Sequence, residues 1–104
     1  MSDTTTMHAT AEHRLRAMLD RAEQQVRNLE LGLVSMYADG DTTQEDQDAT
    51  RRMVDAIRAD VLRITRALHR IETGTYGRCA ACGAHIPAER LDAIPDVERC
   101  GPCA

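Results

Sequence analysis

The sequence predicts a mainly α-helical protein: a long antiparallel helical hairpin (a coiled coil) followed by a small zinc module with four cysteines. Three observations support this. Two long stretches repeat apolar residues at steps of three and four, a short Gly- and Asp-containing turn separates them, and the cysteines form two close pairs. The 104 residues suffice for one domain, or a hairpin plus a small module. With no Trp, no Phe and two Tyr, the chain can form apolar seams but hardly a large globular core.

The first helix is predicted to begin at Thr10. Residues 1–9 are polar and Thr-rich without periodicity, which predicts a mobile N-terminal tail. From Thr10 onward, an apolar stripe recurs with the spacing of a helix that packs lengthwise on another helix. Its members are Ala11, Leu15, Met18, Ala22, Val26, Leu29, Leu33 and Met36.

The second helix follows a turn at residues 38–43, where Gly and Asp interrupt the stripe. Thr43 followed by Asp46, or Thr42 followed by Glu45, resembles a capping box that opens a helix. Gly74 is the predicted C-cap. A short turn between two long helices makes them antiparallel, so the hairpin spans residues 10–73. The second stripe consists of Ala49, Met53, Ile57, Val61, Ile64, Leu68 and Ile71.

The cysteines lie in the C-terminal module, predicted at residues 74–104. Their pattern is C-x2-C-x17-C-x2-C, which is typical of a four-thiolate zinc site. Because four thiolates fill a tetrahedral shell, the Zn²⁺ cofactor would be structural and not catalytic. His85 could replace a thiolate, but four cysteines suffice. A short helix is predicted at 87–92, with Pro87 in its first position. The predicted ligands are Cys79, Cys82, Cys100 and Cys103.

Disulfides or a redox pair are the alternative interpretations of the cysteines. Two disulfides would require an oxidising compartment, and the N-terminus has neither the basic region nor the apolar region of a secretory signal. A thioredoxin-like pair requires a βαβ pattern that the sequence lacks. No apolar run approaches the ~18 residues of a membrane span. These features favour a soluble protein of a reducing cytosol.

The charge pattern of the hairpin has two informative regions. The net charge of −4 gives no overall attraction to nucleic acid or anionic lipid. The acids near the turn, at residues 39–48, form either a solvated capping loop or a negative field suited to a basic site on a partner. The Arg-rich flank of the second helix is either a solvated face paired with Asp20, Glu23 or Glu30, or a phosphate-binding surface. That flank comprises Arg51, Arg52, Arg58, Arg63, Arg66, His69 and Arg70.

The segment 74–103 resembles the DksA/TraR family of C4 zinc-finger proteins, and the hairpin resembles that family in architecture. The motifs that carry the resemblance are Gly74-Thr75-Tyr76-Gly77-Arg78, the two cysteine pairs, and Arg90-Leu91-Asp92-Ala93-Ile94-Pro95. The resemblance implies a bacterial, cytoplasmic transcription regulator that is not an enzyme. It would bind RNA polymerase directly, without sequence-specific DNA binding, by inserting the coiled-coil finger into the secondary channel. Better-studied members cooperate with or mimic the alarmone ppGpp in the stringent response.

The family's tip motif, Asp-x-x-Asp-x-Ala, has two near frames in this sequence. They are Glu45-x-x-Asp48-x-Thr50 and Asp46-Gln47-Asp48-Ala49. The resemblance therefore implies a partner-binding tip formed by Glu45, Asp46, Asp48 and Ala49, with Asp48 as the principal acid. Well-known members carry a further helix after the zinc site, and the resemblance does not extend to contacts built on that helix.

Two other functions remain open from the residues alone. The first alternative is a nucleic-acid-binding zinc protein that uses the Arg-rich flank, and the second is an interaction module for some other partner. An enzyme is least favoured, because no nucleophile–base pair or open metal position is visible.

Overall fold

The computed structural model describes residues 2–104, with side chains described from Met7 onward. It contains helix α1 (Ser2–Ala38), helix α2 (Gln44–Thr73), helix α3 (Ala88–Ala93) and a 3₁₀ turn at Gly101–Cys103. Within this described part, one isolated antiparallel bridge joins Arg78 and His85. The predicted fold class, mainly helical with two long helices before a four-cysteine module, is confirmed.

The start of α1 differs from the prediction. The helix begins at Ser2 and not at Thr10, so residues 2–9 of the predicted N-terminal tail are helical, while Met1 lies outside the described residues. Extending an existing helix adds a hydrogen bond per residue without a new nucleation step, so it needs no apolar stripe. The His8 ring also meets the Tyr76 ring edge-on, with 5.6 Å between centroids. Periodicity alone could not reveal that contact.

The chain divides into two compact units: Asp20–Leu62, and Met1–Leu19 together with Arg63–Ala104. The predicted boundary at residue 74 therefore differs from the observed division. The cysteine module shares its unit with one end of each long helix. Within this unit, Arg66 of α2 lies 2.6 Å from Glu98 and Arg14 of α1 lies 3.3 Å from Asp92.

The Asp20–Leu62 unit contains the turn and the adjoining parts of α1 and α2. Ala22 and Val54 are its buried apolar residues, and the predicted α1 stripe from Val26 to Met36 is partly buried. The α2 stripe is displaced near the turn: Met53 is 54% exposed, and the neighbouring Val54 is 5% exposed. The predicted inward positions Ala49 and Met53 are therefore wrong. Near the turn, the inward positions are Thr50 and Val54, each one residue after the position that the sequence pattern suggested.

The capping residues at both ends of α2 follow the prediction. The Thr43 hydroxyl accepts a hydrogen bond from the Asp46 N–H at 3.1 Å, which satisfies a free donor of the first turn. At the other end, Gly74 has φ +78°, a conformation that glycine adopts without a Cβ penalty. The Thr75 and Tyr76 N–H groups then both donate to the Arg70 carbonyl, at 2.9 and 3.1 Å.

The core of the cysteine-containing unit is small. Leu15 and Ala67 are fully buried, Ile64 is 3% exposed, and Tyr76 is 8% exposed. The Tyr76 hydroxyl donates to the Pro95 carbonyl at 2.9 Å, so this buried polar group is satisfied. Helix α3 begins at Ala88 and ends at Ala93, one residue later at each end than predicted.

Candidate functional site

The first cysteine pair occupies a tight turn. Cys79 N–H donates to the Ala84 carbonyl at 2.8 Å, and Gly83 N–H donates to the Cys79 carbonyl at 2.9 Å. Gly83 has φ +76°, which an L side chain rarely adopts, so glycine directly after Cys82 allows the chain to reverse. The reversal brings the Cys79 and Cys82 sulfurs to the same side.

The second pair is held against the first. Cys103 N–H donates to the Cys100 carbonyl at 3.1 Å within the 3₁₀ turn. The segment before Cys100 is attached to the first turn, because the Ala80 N–H donates to the Glu98 carbonyl at 2.7 Å. Backbone hydrogen bonds therefore bring together two cysteine pairs that are separated by 17 residues in sequence.

The four sulfur atoms fit a tetrahedral metal ion. All lie within 4.8 Å of one another, and the Cys82 and Cys100 sulfurs are 3.6 Å apart. A zinc–sulfur bond of about 2.3 Å predicts sulfur–sulfur edges of about 3.8 Å, whereas a disulfide would require about 2.05 Å. All four cysteines are free thiols. The donor set matches a structural Zn²⁺ and contradicts two disulfides, and His85 is not in this sulfur cluster.

The sulfurs influence one another's ionisation. Backbone hydrogen bonds, the strongest from Cys100, lower the pKa of the Cys79 thiol to about 6. The neighbouring sulfurs of Cys100, Cys82 and Cys79 raise the pKa of Cys103 to about 12. Four thiolates this close repel each other, and a divalent cation among them removes that repulsion and ties metal binding to folding.

A bound ion here would stabilise the fold without performing catalysis. Four protein sulfurs complete a tetrahedral shell and leave no position for water or substrate. Cys79 and Cys100 are buried, whereas Cys82 is exposed. The role of this centre is therefore to hold the two cysteine-containing turns together.

The predicted tip residues lie at the start of α2. Glu45, Asp46 and Ala49 are exposed, and the Asp48 side chain keeps 40% of its accessible surface. Glu45 and Asp46 belong to the first turn of the helix, where acids interact favourably with the helix dipole. The structure therefore places the four residues on neighbouring turns of one helix.

Asp48 differs from the other tip acids because an arginine and a glutamine donate hydrogen bonds to its carboxylate. The Arg51 guanidinium donates to Asp48 Oδ1, and the Gln44 amide donates to the same oxygen at 3.0 Å. These two hydrogen bonds, with Arg51 the larger cause, hold the pKa of the Asp48 carboxyl below its ordinary value. Sequence reasoning missed Arg51, although its i,i+3 spacing from Asp48 is the spacing of helical ion pairs.

The Arg-rich flank of α2 is largely paired with acids of the same chain. Arg58 lies 2.9 Å from Glu30, which was a predicted partner. Three other pairs were missed because their two acids lie far along the chain. The pairs are Arg63–Asp96 at 3.6 Å, Arg66–Glu98 at 2.6 Å and Arg70–Glu98 at 3.6 Å. These pairs reduce the positive field that a phosphate backbone would meet.

Four convergent thiols on two tight turns define a C4-type zinc finger. Residues 74–104 match the family of the prokaryotic dksA/traR C4-type zinc fingers. This match over the C-terminal module confirms the resemblance predicted from its sequence motifs.

Two relatives extend the comparison. The chain is 50% identical over 46 residues to an uncharacterized protein of Aquifex aeolicus (strain VF5), covering 44% of this chain and 32% of that protein. It is 33% identical over 72 residues to General stress protein 16O of Bacillus subtilis (strain 168), covering 69% of this chain and 44% of that protein. The chain thus spans less than half the length of both relatives.

A solved structure shares the fold over most of the chain. The transcription factor DksA2 from Pseudomonas aeruginosa matches with a TM-score of 0.84 at 18% sequence identity, covering 94% of this chain and 80% of that chain. At this identity the match concerns the fold.

None of the helices described in residues 2–104 is long and apolar enough to cross a membrane.

Proposed function

We propose that this protein is a zinc-containing, cytoplasmic transcription regulator of bacteria that binds RNA polymerase directly and performs no catalysis. The acidic tip of the hairpin would enter the secondary channel, and the C4 finger would stabilise the base of the two helices. The observation that carries the proposal is the DksA2 fold over 94% of the chain, combined with a DksA/TraR zinc finger at residues 74–104. A role in the stringent response, with or without ppGpp, belongs to the same proposal.

The charge distribution supports a cationic target for the tip. Within residues 39–48 there are five acids and no basic residue, and Glu45 and Asp46 are exposed. Acids grouped in this way produce a local negative field, which favours docking at a positively charged site and disfavours DNA. The metal ligands in this proposal remain Cys79, Cys82, Cys100 and Cys103.

A direct test measures binding to core RNA polymerase and transcription in vitro. The protein should bind the core enzyme, and a competitor that occupies the secondary channel should displace it. Asp48→Asn should abolish the effect on transcription, whereas Asp55→Asn, an exposed acid two turns further along α2, should retain it. Binding that the competitor does not affect, or equal activity of the two variants, would contradict the proposal.

The nucleic-acid alternative is less favoured by the structure. Four arginines of the proposed phosphate-binding flank pair with acids on other parts of the chain. A gel shift at low salt separates the two functions, since phosphate binding would be steeply salt-dependent. We expect no shift of DNA or RNA.

A further inference from the structure

The guanidinium of Arg51 connects the two helices close to the tip. Its Nη1 donates to the Tyr37 hydroxyl of α1 at 3.0 Å, and its Nη2 donates to Asp48 Oδ1 of α2. The guanidinium carbon also lies 6.0 Å from the centre of the Tyr37 ring, at the outer limit of a cation–π contact. The Arg51 guanidinium, itself part of α2, therefore links Tyr37 of α1 to Asp48 of α2.

The hydrogen bonds to Asp48 leave one of its oxygens available. Among the described residues, Arg51 and Gln44 both donate to Oδ1. No described hydrogen bond ends on Oδ2, and the side chain keeps 40% of its accessible surface. A carboxylate can accept hydrogen bonds on both oxygens, so Oδ2 can still receive a donor from another molecule.

We propose that Arg51 is a positioning residue, which with Gln44 fixes the Asp48 carboxylate so that Oδ2 is presented to a positively charged group of the partner. This inference rests on the proposed function, because it assigns a role within the same tip. A carboxylate that is already oriented loses less rotamer freedom on binding. Arg51 suits this role because its planar guanidinium donates in two directions at once, which a lysine ammonium does less well.

The opposite role is physically reasonable and predicts the opposite sign. If Arg51 only neutralised Asp48, a partner cation would have to displace it, and removing Arg51 would strengthen binding. Removing any arginine near the tip also increases the attraction to a cationic site through the net charge. A matched control is therefore required. Arg52 provides it, because it acts on the Asp48 carboxyl through its charge and not through a hydrogen bond.

The experiment compares Arg51→Gln with Arg52→Gln in the zinc-loaded full chain. We expect Arg51→Gln to bind core RNA polymerase about 2- to 10-fold more weakly than Arg52→Gln, because an oriented side chain has become mobile. Arg51→Lys, which keeps the charge but not the planar fork, should also bind more weakly than wild type. In the free protein, an NMR titration should show a larger rise of the Asp48 carboxyl pKa in Arg51→Gln than in Arg52→Gln.

The outcomes separate this inference from the proposed function. If wild type does not bind polymerase, the proposed function fails and the role of Arg51 in binding fails with it. If wild type binds and Arg51→Gln binds as tightly as Arg52→Gln, or more tightly, only the positioning role is refuted. An Asp48 titration that is equal in the two variants would show that the Arg51 contact is absent in solution, which also overturns the inference.

Discussion

Burial of Leu15 allows a quantitative test of the helix packing. Leu15 in α1 is 0% exposed, whereas Leu31 in the same helix is 70% exposed. Leu→Ala removes three carbon atoms, worth about 2.4 kcal/mol in transfer free energy at about 0.8 kcal/mol each. The cavity left at a closed site raises the total to about 2–5 kcal/mol for Leu15→Ala.

The same substitution at Leu31 should have a small effect. With 30% of the side chain removed from water, the transfer loss is about 0.7 kcal/mol, and the better helix propensity of alanine offsets part of it. Urea unfolding of both variants, followed by circular dichroism with zinc in excess, measures the difference. Equal destabilisation by Leu15→Ala and Leu31→Ala would refute the packing of Leu15 described above.

Three further predictions concern the metal, the glycines and the buried tyrosine. Cys79→Ser should lower the zinc content measured by atomic absorption and reduce the melting temperature, because three sulfurs and a hydroxyl hold zinc less well. Gly32→Ala should stabilise the protein by about 0.5–1 kcal/mol, since the added Cβ meets nothing within 4 Å in the helix, whereas Gly77→Ala, at φ +90°, should destabilise it by about 1–2 kcal/mol. Burial raises the pKa of Tyr76 above 10.0, so its stability contribution is complete below pH 10 and is lost as the pH rises through the folded pKa. The tyrosinate absorbance of a Tyr37→Phe variant reports this titration from Tyr76 alone.

Each of these predictions has a control or a contradicting result. Ala81→Ser places a hydroxyl in the same turn without removing a sulfur, and it should keep full zinc content. A Cys79→Ser protein with unchanged zinc content and melting temperature would contradict the role of that ligand. The two glycine variants must change stability in opposite directions, and a shared sign would contradict the backbone argument. Ionisation of Tyr76 at or below its ordinary value would show that the ring is exposed in solution.

The sequence predicted the features that depend on local spacing. Glycine after α2, threonine at its N-terminus and two C-x2-C pairs each specify a conformation through neighbouring residues alone. The positions of Thr43, Gly74 and the four sulfurs therefore agree with the prediction. The short helix after Pro87 was also predicted to within one residue, because proline favours the first turn of a helix.

The sequence could not predict contacts that depend on distant parts of the chain. Helix phase near the turn is set by packing, so Met53 was wrongly assigned to the interior although its hydrophobicity fits the stripe. The partners of Arg63, Arg66 and Arg70 lie about 30 residues away in sequence, as in the 32-residue separation of Arg66 and Glu98. The contact of Arg51 with Asp48 was missed although it has a local signal, because i,i+3 spacing connects the two residues.

Glu98 has two attachments whose combination has a thermodynamic consequence. Its carboxylate meets Arg66 and Arg70 of α2, while its main-chain carbonyl receives the N–H of Ala80, next to the first cysteine. Glu98 therefore connects the folding of the last turns of α2 to the binding of zinc by the four sulfurs. Coupling of this kind is reciprocal. Loading zinc should slow amide exchange in those turns, and loosening them by Arg66→Gln should weaken zinc affinity. In this way, the zinc affinity of a metal centre that performs no reaction can depend on how well a helix several residues away is ordered.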